Sequence, residues 1–184
     1  MKIKKKHVRK GIWVLAAGFV LFMIVVVAGY MLPFKIIMPV RGATTKDYNH
    51  KSYWYYPWGK SGVHKGVDIF AKKGTDVLAA TSGIVMEAHE IDMGGNIILI
   101  LGPKWRYHYY AHLKDIKVKK YQFVNQGDVI GTVGDSGNAK GKPPHLHYAI
   151  ITPVPYYWLR DTIAPQGDKK MYYLDPIKYL EDLE

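Results

Sequence analysis

From Gly11 to Phe34 the chain has no charged side chain, and from Ile12 to Leu32 it is apolar almost throughout. As a helix that run rises about 31 Å, close to the ~30 Å hydrocarbon core of a bilayer. Trp13 and Tyr30 sit near its ends, and Pro33 disfavours its continuation. A cleaved secretory signal also follows a positive stretch, but its apolar core is only about 7 to 15 residues long and leads to a small-residue cleavage site. Here the run is longer, and no A-x-A pattern follows it. A helix buried in a globular core would carry a polar stripe. The sequence therefore predicts an uncleaved membrane anchor. Lys2, Lys4, Lys5, Lys6, Arg9 and Lys10 precede it, whereas only Lys35 and Arg41 follow closely. By the positive-inside rule the N-terminus lies in the cytoplasm and the large domain outside. The expected organisation is a basic leader over 1–11, a transmembrane anchor over 12–33, a linker over 34–49 and one domain over 50–184. A chain of 184 residues has room for one ordinary domain and such an appendage.

The formal charge of +11 divides unevenly along this plan. Six of the 26 Lys and Arg residues lie in the leader, which has no acid, so the remaining 20 against 15 acids leave the rest at +5. A basic domain outside the cytoplasm suits anionic envelope polymers, and nucleic acid is not an expected partner there. Cysteine is absent, which excludes disulfides and thiolate metal sites, so any metal must be held by His and carboxylate.

Beyond the anchor an aromatic cluster, Tyr48, Tyr53, Trp54, Tyr55, Tyr56 and Trp58, precedes the domain's main body. Its flat faces could stack on sugar rings at the mouth of a groove, or cover one edge of the core. Short β-branched runs broken by glycine follow, at Gly66–Phe70, Val77–Ala80, Gly83–Met86, Asn96–Leu101 and Asp128–Gly134. This spacing predicts a mainly β domain, an antiparallel sheet or sandwich with tight turns. Asp175 can cap, and Pro176 open, one short helix through Leu183.

Three short pieces carry the chemistry: His64-Lys-Gly-Val-Asp68, Tyr110-Ala-His112-Leu and His145-Leu-His147. A four-residue step returns to one face of a strand, so His64 and Asp68 can meet one ion. Two His two apart on a strand share a face. Catalytic zinc sites keep three protein ligands and leave the fourth position to water, a role that His64, Asp68 and His147 can fill. Zinc lowers the pKa of its water towards about 7 and polarises a carbonyl. Amide hydrolysis also needs a proton carrier and an oxyanion partner, for which His145 and His112 are candidates. His108 shares the strand parity of His112, so spacing alone leaves that choice open. His7, His50 and His89 have no suitable partner in sequence.

This combination resembles the lysostaphin-type zinc metalloendopeptidases, which cleave peptide bonds in bacterial cell-wall peptidoglycan. The resemblance covers residues 62–151. It runs through His64-Lys-Gly-Val-Asp68-Ile, Lys73-Gly-Thr-Asp-Val-Leu-Ala-Ala, Gly83-Ile-Val and Tyr110-Ala-His112-Leu. It continues through Gly127-Asp-Val-Ile-Gly and Val133-Gly-Asp-Ser-Gly-Asn to His145-Leu-His147-Tyr. By position it implies His64, Asp68 and His147 as ligands of one Zn2+ with a water as fourth ligand, and His112 and His145 as catalytic residues. It also implies an antiparallel β domain with the zinc at the floor of an open groove. Family members commonly have a Glu where this chain has Ala149, on the face of His145 and His147, and Lys142-Pro143-Pro144 extends the usual approach to the last motif. A carboxylate that orients a ligand is thus absent at that point.

The expectation is a single-pass protein of the bacterial cytoplasmic membrane. Its extracytoplasmic (periplasmic) zinc endopeptidase domain would hydrolyse peptidoglycan peptides in wall remodelling or division, with room for an envelope regulator. The rival from another class is a non-catalytic peptidoglycan-binding module or an activator of another wall hydrolase. An anchored protease of other extracytoplasmic proteins is a third.

Overall fold

The structure, a computed structural model, describes residues 2–182, with side chains from Lys10 onward. The leader charges at Lys2, Lys4, Lys5, Lys6 and Arg9 lie outside the described side chains, and the expected helix end at Leu183 lies outside the described residues. The apolar run falls in one helix, α1 (Lys2–Met31), of which Lys10–Met31 is long and apolar enough to cross a membrane and is exposed along most of its length.

The domain that follows is mainly antiparallel β, as expected. Its described strands are β1 (Val67–Phe70), β2 (Asp76–Leu78), β3 (Gly83–Ile91), β4 (Gly95–Leu101) and β5 (Tyr107–Ile116), then β6 (Phe123–Val124), β7 (Val129–Val133), β8 (His145–Ile151) and β9 (Tyr173–Leu174). The central order is β1-β8-β5-β4-β3-β6, with β9 beside β8 and β7 joining β5 to β2. A short helix, α2 (Pro176–Glu181), closes the described chain. Asp175 caps it by accepting from the Ile177 N–H at 3.0 Å, and Pro176 occupies its first turn, where a missing N–H costs nothing.

Alternation along the strands divides the two faces. Ile69, Ile98, Ile100, Tyr110, Leu146, Tyr148 and Ile150 are fully buried on one side. Each such aliphatic side chain contributes roughly 1.5–3 kcal/mol of burial. Asp68, Phe70, Tyr109, Ala111, His145, His147 and Ala149 point to the other side and line a groove.

Residues 34–49, expected as a linker, are built into this domain instead. Ile36, Val40 and Tyr48 lie in the core, the Ile37 N–H donates to the Ala80 carbonyl, and the Leu78 N–H donates to that of Pro39. Phe34, Ile36, Met38 and Val40 all pack on the core, and the segment lies along β2. The tail after β8 also packs on the domain. Two 3-10 turns, Tyr157–Leu159 and Gly167–Tyr172, lead to β9, while Trp54 Nε1 donates to the Pro165 carbonyl and Gln166 Nε2 to that of Ser61.

Candidate metal and catalytic site

Register sets the first two ligands. Asp68 on β1 lies directly opposite His147 on β8, and the other neighbour of His147 is Ala111 of β5, whose small side chain leaves the floor open. His64 arrives from the segment before β1, held there by backbone bonds from its N–H to the Tyr55 carbonyl and from the Trp54 N–H to its own. Its Nδ1–H donates to the Ser52 carbonyl at 3.0 Å, which leaves Nε2 free to face Asp68. Gly66 is required between the two ligands. A Cβ there would stand 2.4 Å from the Tyr148 carbonyl oxygen and 3.0 Å from the His147 ring.

The result is a tight triangle. His64 Nε2, Asp68 Oδ1 and His147 Nδ1 are 2.8 to 3.0 Å apart, and the three side chains are mostly buried. Ligands at zinc bond lengths of about 2.0–2.1 Å and tetrahedral angles stand about 3.3 Å from one another, so a slight spreading accommodates the ion. The donor set, two imidazoles and a carboxylate, is one that zinc takes in catalytic sites. Burial by itself would raise the Asp68 carboxyl, but its close polar contacts with the His147 and His64 imidazoles outweigh burial and hold it well below the usual range. Burial holds His147 low against the pull of Asp68, so it stays neutral, as a ligand must be.

His112 and His145 lie on the same wall, with ring centroids 5.1 Å apart. Each is oriented by a backbone carbonyl. His112 Nδ1–H donates to Ser136 at 3.0 Å, and His145 Nδ1–H to Pro143 at 2.8 Å. Both Nε2 lone pairs are thereby left for the groove, and that of His145 is 3.8 Å from Asp68 Oδ2. Burial first, then the neighbouring His147 and His145, push His112 down to about 4, so it is unprotonated at neutral pH.

His112 reaches this wall through a backbone irregularity. The pairing of β4 with β5 shifts register between Asn96 and Ile98, and His112 has φ of +64°. Such a conformation costs a residue with a Cβ roughly 1–2 kcal/mol. It is held by the His112 N–H, which donates to the Gly94 carbonyl at 2.8 Å. At this point β5 leaves β8, with which it pairs through Ala111, and takes up β7 from Leu113 onward. The parity that placed His108 with His112 is therefore broken. His108 lies on the opposite, interior face, fully buried, with Nδ1 sharing a 2.7 Å hydrogen bond with the Tyr148 hydroxyl.

All five residues of the sequence reading thus meet in one groove of about 670 Å3. Spacing alone missed several others. Trp58 stacks on the His64 ring at 4.2 Å, whereas Trp54 and Tyr48 of the same aromatic cluster are buried, so the cluster is divided between groove and core. Tyr109, lifted to about 12 by burial, pairs with Ala149 across β5 and β8, and Tyr173, from the tail, lines the same groove. Lys60, Lys65 and Lys142 also line the groove, and Asp68 is its only acid among the described residues.

Comparison with known proteins follows this geometry. The sequence pattern of Peptidase family M23 matches residues 62–156. The L-Ala--D-Glu endopeptidase of Bacillus subtilis is 38% identical over 122 residues, which are 61% of this chain and 36% of that protein. Lysostaphin of Staphylococcus staphylolyticus is 39% identical over 103 residues, 53% of this chain and 21% of that protein. The chain therefore spans well under half the length of these curated relatives. Among solved structures, the catalytic domain of the antimicrobial peptidase lysostaphin from Staphylococcus simulans superposes with a TM-score of 0.58 at 29% identity, covering 74% of this chain and 95% of that domain. Since the match takes in more than half of the 184 residues, His64, Asp68, His112, His145 and His147 among them, the chain belongs to peptidase family M23.

Proposed function

We propose that this chain is a membrane-anchored zinc endopeptidase that hydrolyses peptide bonds of bacterial peptidoglycan, with its N-terminus in the cytoplasm and the groove outside. The observation that carries the reading is the His64–Asp68–His147 triangle with two carbonyl-anchored imidazoles on the same wall. His64, Asp68 and His147 would hold a zinc ion, which would supply Lewis-acid polarisation of the scissile carbonyl and acidification of a water. His112, unprotonated at neutral pH, accepts the proton released as the nucleophile forms. His145, anchored through Nδ1 on the Pro143 carbonyl with Nε2 3.8 Å from Asp68 Oδ2, is the group on the same wall that would serve the oxyanion and the leaving amine. Three lysines around one metal-bound acid favour stem peptides bearing carboxylates over neutral glycine bridges.

Mass spectrometry of fragments released from cross-linked peptidoglycan by the zinc-loaded full chain in detergent tests this reading. Chelator-sensitive cleavage at one defined bond is expected. His145→Ala should abolish turnover with zinc retained, and His147→Ala should lose both. Hydrolysis surviving in both variants would remove the site assignment. Intact zinc binding without cleavage of any peptidoglycan would favour the binding-module reading.

A further inference from the structure

The helix α1 does not end in free space. The turn between β4 and β5 grips its last residues: Trp105 Nε1 donates to the Val26 carbonyl at 2.9 Å and Lys104 Nζ to that of Tyr30 at 2.8 Å. Gly29 makes the hollow for this contact, since a Cβ there would stand 2.1 Å from the Trp105 ring. Lys104 and Trp105 both adopt positive φ, 58° and 56°, to reach it. Behind the turn, the Arg106 guanidinium lies 4.2 Å over the Phe34 ring and donates to the Tyr156 hydroxyl at 3.3 Å, while Tyr156 stacks on Trp158 at 4.8 Å.

Topology gathers exposed apolar side chains at this same end of the sheet. Leu101 ends β4 and faces Ile84, which faces Phe123, and Tyr107 at the start of β5 pairs with Ile151 at the end of β8, just before the Tyr157–Leu159 turn. Phe123 is 61%, Tyr157 71% and Trp158 77% exposed. Trp and Tyr concentrate at the level of lipid headgroups, where one end of the side chain is apolar and the other wet. The 22 residues from Lys10 to Met31 rise about 33 Å against a hydrocarbon core of ~30 Å, so the turn of helix that Trp105 and Lys104 grip lies at that boundary.

We propose that this end of the domain is a membrane-docking face, formed by the β4–β5 turn, Phe123 and the Tyr157–Leu159 turn. Its partner is the headgroup layer of the bilayer that α1 spans. The inference rests on reading α1 as the anchor. It places the groove at a fixed height rather than on a tether. His112 lies five residues along β5 from Tyr107, at most about 17 Å beyond the docking face.

The chain has no cysteine, so single-cysteine variants of the full chain can carry an environment-sensitive fluorophore without background. In nanodiscs of phosphatidylcholine and phosphatidylglycerol, labels at Tyr157→Cys and Phe123→Cys should shift to the blue and lose most of their intensity to a nitroxide on the lipid headgroup. A label at Asp92→Cys, in the β3–β4 turn at the far end, should do neither. A fourth label at Val20→Cys, with a nitroxide deep in the acyl chain, reports insertion of α1. Quenching at 20 with labels at 157 and 123 no more affected than at 92 overturns the docking face and leaves the anchor standing. A label at 20 that escapes quenching overturns the anchor, and docking with it. A blue shift at 157 that grows with protein density and ignores lipid nitroxide assigns the face to a second copy, and also overturns the proposal.

Discussion

His108 and His112 are four residues apart on one strand, yet one is a buried structural group and the other faces the groove. The cause is the bulge at His112, which period-two reading cannot see because it counts residues rather than pairs. The motif around His112 singled it out where parity did not. The spacing of His145 with His147 was legible because the regular strand β8 carries both, whereas His64 reaches Asp68 from the non-strand lead-in before β1, held by Trp54 and Tyr55. Not legible were the carbonyls of Ser52, Ser136 and Pro143 that orient the imidazoles, since any residue type supplies a carbonyl. The buried His108 makes a prediction of its own. Burial, then the charge of Arg106, push it down to about 3, against an ordinary value near 6.5. Between those values the unfolded chain binds a proton that the folded chain refuses. His108 therefore costs no stability above about pH 6.5 and about 1.4 kcal/mol for each pH unit below it, until its folded pKa is reached. Thermal unfolding in detergent between pH 4 and 6 should show a slope shallower by about one proton in His108→Phe than in the parent.

At the scale of elements, the site depends on how closely β1 and its lead-in approach β8. Gly66 permits that approach, and its φ is not what requires glycine. The need is for space under the Tyr148 carbonyl and the His147 ring. Gly66→Ala should therefore destabilise the fold by about 1–3 kcal/mol, as overpacking does. It should also weaken zinc binding beyond what the fold loses, because the new methyl presses on a ligand. Calorimetry and a zinc titration of the same variant measure the two effects separately. The segment 34–49 shows the opposite kind of legibility. Its apolar residues Phe34, Ile36, Met38 and Val40 were present in the sequence, but with Ile37 and Pro39 between them they show no alternation, and proximity to the anchor favoured reading a linker. The tail that supplies Tyr173 to the groove offered no periodicity at all, because its two 3-10 turns are too short to show one.

For the whole molecule, metal and fold are linked. The ligands come from the lead-in, β1 and β8, so an ion bound by all three stabilises the folded chain over the unfolded one. Zinc at about one hundred times its Kd should raise stability by about 2.7 kcal/mol, a shift that a chelator reverses and that His147→Ala lacks. The buried Ile36, and the Lys35 carbonyl that accepts from Gln126 Nε2, have a different consequence. A protease that separates the domain from α1 has only the few peptide bonds around Leu32 and Pro33 to cut without removing part of the core. N-terminal sequencing of material released by mild proteolysis should find active fragments beginning between Leu32 and Lys35, and fragments beginning beyond Ile36 should be inactive and rapidly degraded. If α1 is the proposed anchor, the domain would come away whole only through a gap of a few residues, and its release would be a narrower event than an anchor and a domain suggest.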